Sequence, residues 1–137
     1  MNSNKLRKKY YYFQRCVIRL GEGLTRDLMD ELVLAGMVKH FEMAFELGWK
    51  VMKDYMLFRG TSEKTSFSKD IIKAAFKHEL GINPQIWLDM IDFRNKMVHE
   101  YGEEGAHILI EKLKDGFLHE LQNTVEIMKE LIDELDE

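Results

Sequence analysis

One cysteine in 137 residues leaves no partner for an internal disulfide. Cys16 falls near the apolar side of the first helical segment and reads as a buried, inert thiol rather than a nucleophile. Proline is equally scarce, with Pro84 alone, and no alternating β pattern of convincing length competes with helical spacing. His40, His78, His107 and His119 stand apart, without a Cys/His cluster or a His-x-x-x-His pair, so no metal or other cofactor is expected. A glycine-rich phosphate loop and a serine-nucleophile elbow are both missing, which argues against a self-contained nucleotide-dependent enzyme. Nor is there a continuous apolar segment. The basic start, Met1 to Lys9, runs into three tyrosines and further charges, so neither a signal peptide nor a membrane span is expected, and the cytoplasm is the expected compartment.

At 45% hydrophobic and 32% charged residues, the chain fits one domain over 1–137 with a sizeable core. Its net charge of -4 is unevenly spread: residues 1–60 carry 11 Lys/Arg against 7 Asp/Glu, a balance of +4, and residues 61–137 carry 9 against 17, a balance of -8. Lys5, Arg7, Lys8, Lys9, Arg15 and Arg19 interleave with Tyr10, Tyr11, Tyr12 and Phe13. That mixture suits phosphate contacts with base stacking, and it equally suits the solvated face of an amphipathic helix. In an acidic protein any RNA contact has to be local, salt-sensitive or helped by a partner.

Helical spacing recurs in nearly every segment. Leu6, Tyr10, Phe13, Val17 and Leu20 mark a first helix that Gly21 and Gly23 stop. Thr25 is placed to cap a long second helix with the stripe Leu34, Met37, Phe41, Ala44, Phe45, Gly48, Met52 and Tyr55. Met43, Leu47 and Val51 add a second apolar face, which predicts a central position in a bundle. A polar loop, Gly60 to Phe67, leads to a short helix that Ser68 can cap and Gly81 can end. Asn83 and Pro84 then open a fourth helix that Gly102 is placed to end. From about Glu104 a single final helix repeats Ala106, Ile110, Leu113, Phe117, Leu121, Val125, Met128, Ile132 and Leu135. The prediction is an all-α, antiparallel four-helix up-and-down bundle, with the 68–80 helix as a short insert. Trp49 and Trp87 read as core or interface anchors.

Within the fourth helix, steps of three and four residues give Trp87, Met90, Ile91, Arg94, Met97, Val98 and Tyr101. Arg94 holds the middle of this apolar stripe. A guanidinium keeps its charge when buried, so it needs carboxylates, a phosphate, or water reached by snorkelling. Glu42 and Glu46, one turn apart on the second helix, are candidate partners. Five residues beyond Arg94 comes His99, which a helix C-terminus favours as a cation in any case. At about 100° per residue, Asn95 and His99 share a face with Asp92, Arg94 shares another with Tyr101, and Arg94 and His99 diverge by roughly 140°. They converge only if the helix unwinds near Glu100 or if two copies meet in a symmetric homodimer, and the dimer is the favoured arrangement. In a shared groove the histidine could exchange the proton of a ribose 2′-hydroxyl, the arginine could stabilise charge on the attacked phosphate, and Asn95 could orient either.

Arg94-Asn95, three residues, His99-x-Tyr101 resembles the signature of the HEPN superfamily, with the tyrosine of its HepT-type members. Phe41-Glu42 through Glu46-Leu47-Gly48-Trp49-Lys50 to Lys53-Asp54-Tyr55, and Trp87-Leu88-Asp89-Met90 before Arg94-Asn95, are similar to the helices of the nucleotidyltransferase substrate-binding protein family. The chain departs from that pattern at Gly48, where alanine is usual, and at Lys96-Met97-Val98. The resemblance implies a four-helix HEPN bundle that dimerises and is encoded with a minimal nucleotidyltransferase in a toxin–antitoxin-like pair. It implies metal-independent RNA cleavage by Arg94, Asn95 and His99, and control by AMP transfer to Tyr101. Lys5, Arg7, Lys8 and Lys9 are then candidate RNA contacts. The alternative is a non-catalytic subunit that presents a substrate, or its own Tyr101, to the transferase.

Overall fold

The computed structural model describes residues 3–61 and 65–136, apart from the side chains of Val98 and Asp136. Six α-helices account for most of it: α1 Ser3–Gly23, α2 Glu31–Phe58, α3 Ser68–Lys77, α4 Pro84–His99, α5 Gly105–Lys112 and α6 Leu118–Asp133. No strand occurs among the described residues, and the chain forms the helical bundle its spacing predicts, with α3 as the short insert. No helix is long and apolar enough among these residues to cross a membrane.

Several boundaries differ from the sequence expectation because side chains other than the expected ones cap the helices. Asp30, rather than Thr25, caps α2 by accepting the Leu32 N–H at 2.8 Å. Thr25 instead donates its hydroxyl to the Glu22 carbonyl at the end of α1. Ser68 is the first helical residue of α3, not its cap; the Thr65 hydroxyl holds the turn before it, accepting the Phe67 N–H and reaching the Asp70 carboxylate. Helix α3 stops at Lys77, ahead of Gly81, because Glu79 adopts a left-handed backbone, φ 56°. Of the polar loop, residues 62–64 lie outside the described residues.

The largest departure is at the C-terminus. Instead of one helix from Glu104, the chain makes a short 3-10 turn, Gly102–Glu104, then α5, then a π-helical turn, Leu113–Phe117, and then α6. Gly116 leaves helical conformation there, φ 168° and ψ -23°, and the additional residue in the turn re-aims the rod. Leu109, Ile110, Leu113 and Phe117 bury before and within the turn, and Leu121, Val125, Met128 and Ile132 after it.

Helix α2 runs through the centre, with Phe41, Ala44, Phe45, Val51, Met52 and Met56 all buried. Met43 is exposed and Leu47 half-buried, so of the three residues predicted for the second apolar face Val51 alone is buried. Phe41 stacks on Phe117 at 6.0 Å, and Phe93 of α4 meets both rings edge-on at 6.1 and 5.8 Å. Trp49 and Trp87 are both buried, and Cys16 is a buried free thiol whose pKa burial raises. Gly48 is a point of close approach between rigid rings and the α2 backbone. A Cβ built there would stand 2.6 Å from the Trp87 indole and 2.9 Å from the Phe13 ring, both of which are fully buried.

The family's usual alanine therefore does not fit this chain at position 48. Gly48→Ala adds about 1 kcal/mol of helix propensity but overpacks a rigid indole at a cost of about 1–3 kcal/mol, for an expected net loss of about 1 kcal/mol. Urea unfolding reads this directly, and a midpoint at or above the parent's would show that the two rings yield freely.

Candidate functional site

Helix α4 is tied down at its first turn. Asn83 caps it, its side-chain oxygen accepting the Ile86 N–H at 3.2 Å, and Pro84 opens it as the sequence predicts. The Asn83 N–H in turn donates to the Glu120 carboxylate at 2.8 Å, and Asn123 donates to the same group at 3.1 Å. One turn into α4, the Trp87 indole N–H donates to the Thr124 hydroxyl at 3.0 Å, and that hydroxyl donates to the Glu120 carbonyl at 2.8 Å. Glu120 and Thr124 are 3% and 0% exposed, so the Trp87–Thr124–Glu120 part of the network is shielded from water, while Asn83 at its edge is exposed. The sequence reading missed it. Its signal was available: Leu113, Phe117, Glu120 and Thr124 follow one another at helical spacing, which puts two polar residues on an apolar stripe.

Further along α4, Trp87, Met90 and Met97 are buried and Arg94 is half-buried, while the side chain of Val98, on the same predicted stripe, lies outside the described residues. The Arg94 Nη2 stands 3.6 Å from the Glu46 carboxylate, and its guanidinium carbon 6.0 Å from the centre of the Phe45 ring. Glu46 also receives Lys50 at 3.5 Å. Among the described residues Glu42, the other predicted partner, makes no ion pair with Arg94. With both side chains of the Arg94–Glu46 pair about a third exposed, 38% and 33%, it contributes less than about 1 kcal/mol. The pair orients the guanidinium more than it stabilises the fold. The Arg94 Nε is buried with no acceptor among the described residues, a donor left free in the middle of α4.

Asn95 and His99 are exposed on a different flank. Helix α4 stays continuous through both Arg94 and His99 and departs from helical hydrogen bonding only at Tyr101. Unwinding therefore does not bring them together, and within one chain they remain about 140° apart. Among the described residues no hydrogen bond or ion pair holds the His99 imidazole.

Tyr101 departs from the sequence expectation. Continued helix would align it with Arg94, but the chain turns away after His99: the Glu100 and Tyr101 N–H groups both reach the Lys96 carbonyl, at 2.7 and 3.3 Å. Gly102 takes a left-handed φ of 52°. Gly105 lets α5 start close against the end of α4, since a Cβ there would lie 3.0 Å from the Met97 side chain. The half-buried Tyr101 ring thus packs on Phe93 at 5.7 Å, beside Asp92 and Lys96. It borders a surface cleft of about 260 Å³ between α4 and α5, with Phe93 and Phe117 at its floor and Lys112 on its far wall. The Lys96 ammonium meets Asp92 at 3.1 Å; that hydrogen bond and charge, with a smaller contribution from Tyr101, raise its pKa.

The four cations proposed for RNA contact have different surroundings. Lys9 pairs with the buried Asp54 of α2, and Arg7 donates to the Ile132 carbonyl of α6 at 3.1 Å. Lys5 and Lys8 are exposed, as are Tyr11 and Tyr12, whose rings meet edge-on at 5.6 Å. Tyr10 instead turns inward and donates to the Val125 carbonyl; burial, helped by the Glu126 and Asp133 carboxylates, pushes its pKa to about 12. Among the described residues no three His, Cys, Asp or Glu side chains gather as a metal site.

The profile of the family described as nucleotidyltransferase substrate binding protein like matches residues 8–130. The chain belongs to this family. The probable ribonuclease HepT of Haemophilus influenzae is 26% identical over 95% of this chain and 93% of its own length. The Shewanella oneidensis HEPN toxin, solved tri-AMPylated and in complex with the MNT antitoxin, superposes with a TM-score of 0.72 at 15% identity, over 94% of this chain and 98% of that one. A Haemophilus influenzae protein solved as the substrate binding domain of a nucleotidyltransferase gives a TM-score of 0.63 at 23% identity, over 93% and 99%. These two share the fold. In this member of the family α4 is thus anchored by hydrogen bonds through Trp87, Thr124 and Glu120 at its first turns and by packing alone, among the described residues, near its last.

Burial raises the Glu120 pKa above the ordinary 4.5, and the hydrogen bonds from Asn83, Asn123 and Thr124 offset only part of that rise. The folded chain therefore holds this proton more tightly than the unfolded one, and stability is lost as pH climbs from 4.5 through the raised folded-state value. Glu120→Gln keeps an acceptor for the Asn83 N–H, and Asn123 can turn its amide to match. Urea midpoints taken from pH 4.5 to neutrality should show this loss flattened in the variant. An unchanged pH slope would place the proton elsewhere.

Proposed function

We propose that this chain is the HEPN-type partner subunit of a minimal nucleotidyltransferase in a toxin–antitoxin-like pair, that its homodimer cleaves RNA without a metal, and that AMP transfer to Tyr101 controls it. The observation that carries the reading is the placement of Arg94, His99 and Tyr101 at the C-terminal end of α4 in a chain 26% identical, over nearly its whole length, to a probable ribonuclease. Likeness in fold to a HEPN toxin held with its MNT antitoxin supports the transferase as partner.

The divergence of Arg94 and His99 within one α4 calls for a second copy. Across a two-fold axis, one protomer's Arg94 faces the other's His99, and the groove between them takes the polynucleotide. Imidazole is the side chain that both accepts and gives protons near neutral pH. His99 takes the proton of a ribose 2′-hydroxyl as that oxygen attacks the adjacent phosphorus. The bond from phosphorus to the 5′-oxygen breaks, a proton returns to that leaving oxygen, and a 2′,3′-cyclic phosphate remains. Arg94, oriented by Glu46 and keeping its Nε free, stabilises the charge growing on the phosphate oxygens. Asn95, one turn before His99, positions the phosphate or the imidazole.

A non-catalytic, substrate-presenting subunit is the second reading, and it is favoured by the His99 imidazole having no orienting partner among the described residues. Cleavage of a test RNA separates the two. His99→Ala should lower the rate by about 10²–10⁴-fold, and Arg94→Ala by about 10²-fold or more, with helical content unchanged. Mixing the two inactive variants should restore part of the activity, because exchange of subunits rebuilds one intact groove. Cleavage that survives His99→Ala removes the nuclease reading. A stable transferase complex with no cleavage by the parent chain selects the second.

A further inference from the structure

Two of the large apolar side chains that this protein leaves in solvent belong to the short inserted helix. Phe67, just before α3, and Phe76, in its last turn, are 71% and 62% exposed. Helix α3 packs on α2 and α4 and buries Ile71, Ile72, Ala74 and Ala75, so neither ring fastens it to the bundle. Phe76 shares its side of the helix with Lys69, Lys73 and Lys77: at about 100° per residue the four fall within roughly 100° of one another. All three lysines are exposed, and none has an ion pair or hydrogen bond among the described residues. Asp70, the one carboxylate within α3, is engaged by the Thr65 hydroxyl at 3.1 Å, and Glu79 lies beyond the helix end. Successive lysines are about 6 Å apart along the axis, comparable with the separation of neighbouring phosphates on a polynucleotide strand. This basic strip stands in the half of the chain whose balance is -8. On α1, by contrast, two of the four cations expected to meet RNA are engaged within the chain, Lys9 by Asp54 and Arg7 by the Ile132 carbonyl.

We propose that the outer face of α3 binds single-stranded RNA, with Lys69, Lys73 and Lys77 on successive phosphates and Phe76 as the platform on which a base stacks. This rests on the reading of the chain as an RNA-cleaving protein, and it moves the main RNA contact from α1, where the sequence put it, to α3. Unpaired ammonium groups at one-turn spacing follow a phosphate backbone, and a lone exposed ring takes the face of any base. A duplex hides its base faces in its own stack, so the ring selects an unpaired strand. A protein partner is the poorer fit. The outer side of this ten-residue helix offers one ring among three long lysines, whereas stable protein interfaces bury about 800 Å² per partner around a core depleted in lysine. Because α3 touches the substrate away from the reacting phosphate, its contribution falls on affinity and KM, and the chemical step stays with α4.

The full chain carrying His99→Ala, which should bind RNA without consuming it, provides the test. It is titrated into a fluorescein-labelled, unstructured RNA of about 20 nucleotides and followed by anisotropy over a range of salt. Adding Lys69→Gln, Lys73→Gln and Lys77→Gln together should weaken binding about tenfold or more at low salt and make the slope of log affinity against log salt shallower by about 2. Arginine at the same three positions should preserve both. Phe76→Ala should weaken binding about tenfold, and Phe76→Trp should not. These side chains lie outside the core, so helical content should stay the same throughout. Affinity unchanged by the triple glutamine variant or by Phe76→Ala overturns the α3 face and leaves the nuclease reading standing, as does a triple variant that loses the transferase complex while keeping its RNA affinity. A chain that binds no RNA even at low salt overturns the nuclease reading and this inference with it.

Discussion

The arrangement of this protein depends on the seating of one indole. Trp87 lies fully buried against Gly48 and Phe13, and its N–H is spent on Thr124, so both its position and its rotation are determined. A ring that large, held by close packing on its faces and a directional hydrogen bond at its edge, leaves helix α4 no freedom to roll. Glu120 completes the constraint by taking the Asn83 N–H at the first turn. Helix α4 is thereby indexed to α6 before its functional end is reached.

That indexing explains how an arginine occupies an apolar stripe. Because Trp87, Met90 and Met97 must face inward, Arg94 arrives at the boundary of the core, where its stem can pack along Phe45 and its charged end can reach Glu46 and solvent. The ion pair is too exposed to stabilise the fold much. Its effect is orientation, and the Nε, without an acceptor among the described residues, leaves part of the guanidinium unused. His99, on the last turn, receives no such support. The two ends of α4 thus differ in kind: one is locked by buried hydrogen bonds, and the other is held, among the described residues, by the packing of Phe93 on Tyr101 and of Met97 against Gly105.

Much of this was legible in the residues. Helical spacing, the Asn83–Pro84 start and the scarcity of proline elsewhere identify a bundle and locate α4, because capping and amphipathic periodicity are local properties. Glu46 was legible as a partner for Arg94 because it lies on the central helix at the right spacing. Other features were not. The bend at Leu113–Phe117 leaves the i, i+3, i+4 pattern intact, so a single long helix and two joined by a π-helical turn read alike in one dimension. The engagement of Lys9 by Asp54 and of Arg7 by the Ile132 carbonyl likewise required knowing which helices lie beside α1.

The sequence by itself determined the helical class, the family and the identity of the polar residues at the end of α4, since composition, spacing and motif reside in the order of residues along the chain. Only the tertiary structure decided how those residues face. It kept α4 intact through His99, turned Tyr101 off the Arg94 side onto Phe93, and set Lys96 and Lys112 on either side of it. The physical reason is that a side chain's direction beyond a helix end depends on backbone angles at Glu100 and Gly102 and on how closely α5 can approach at Gly105. Packing between helices distant in sequence sets those quantities.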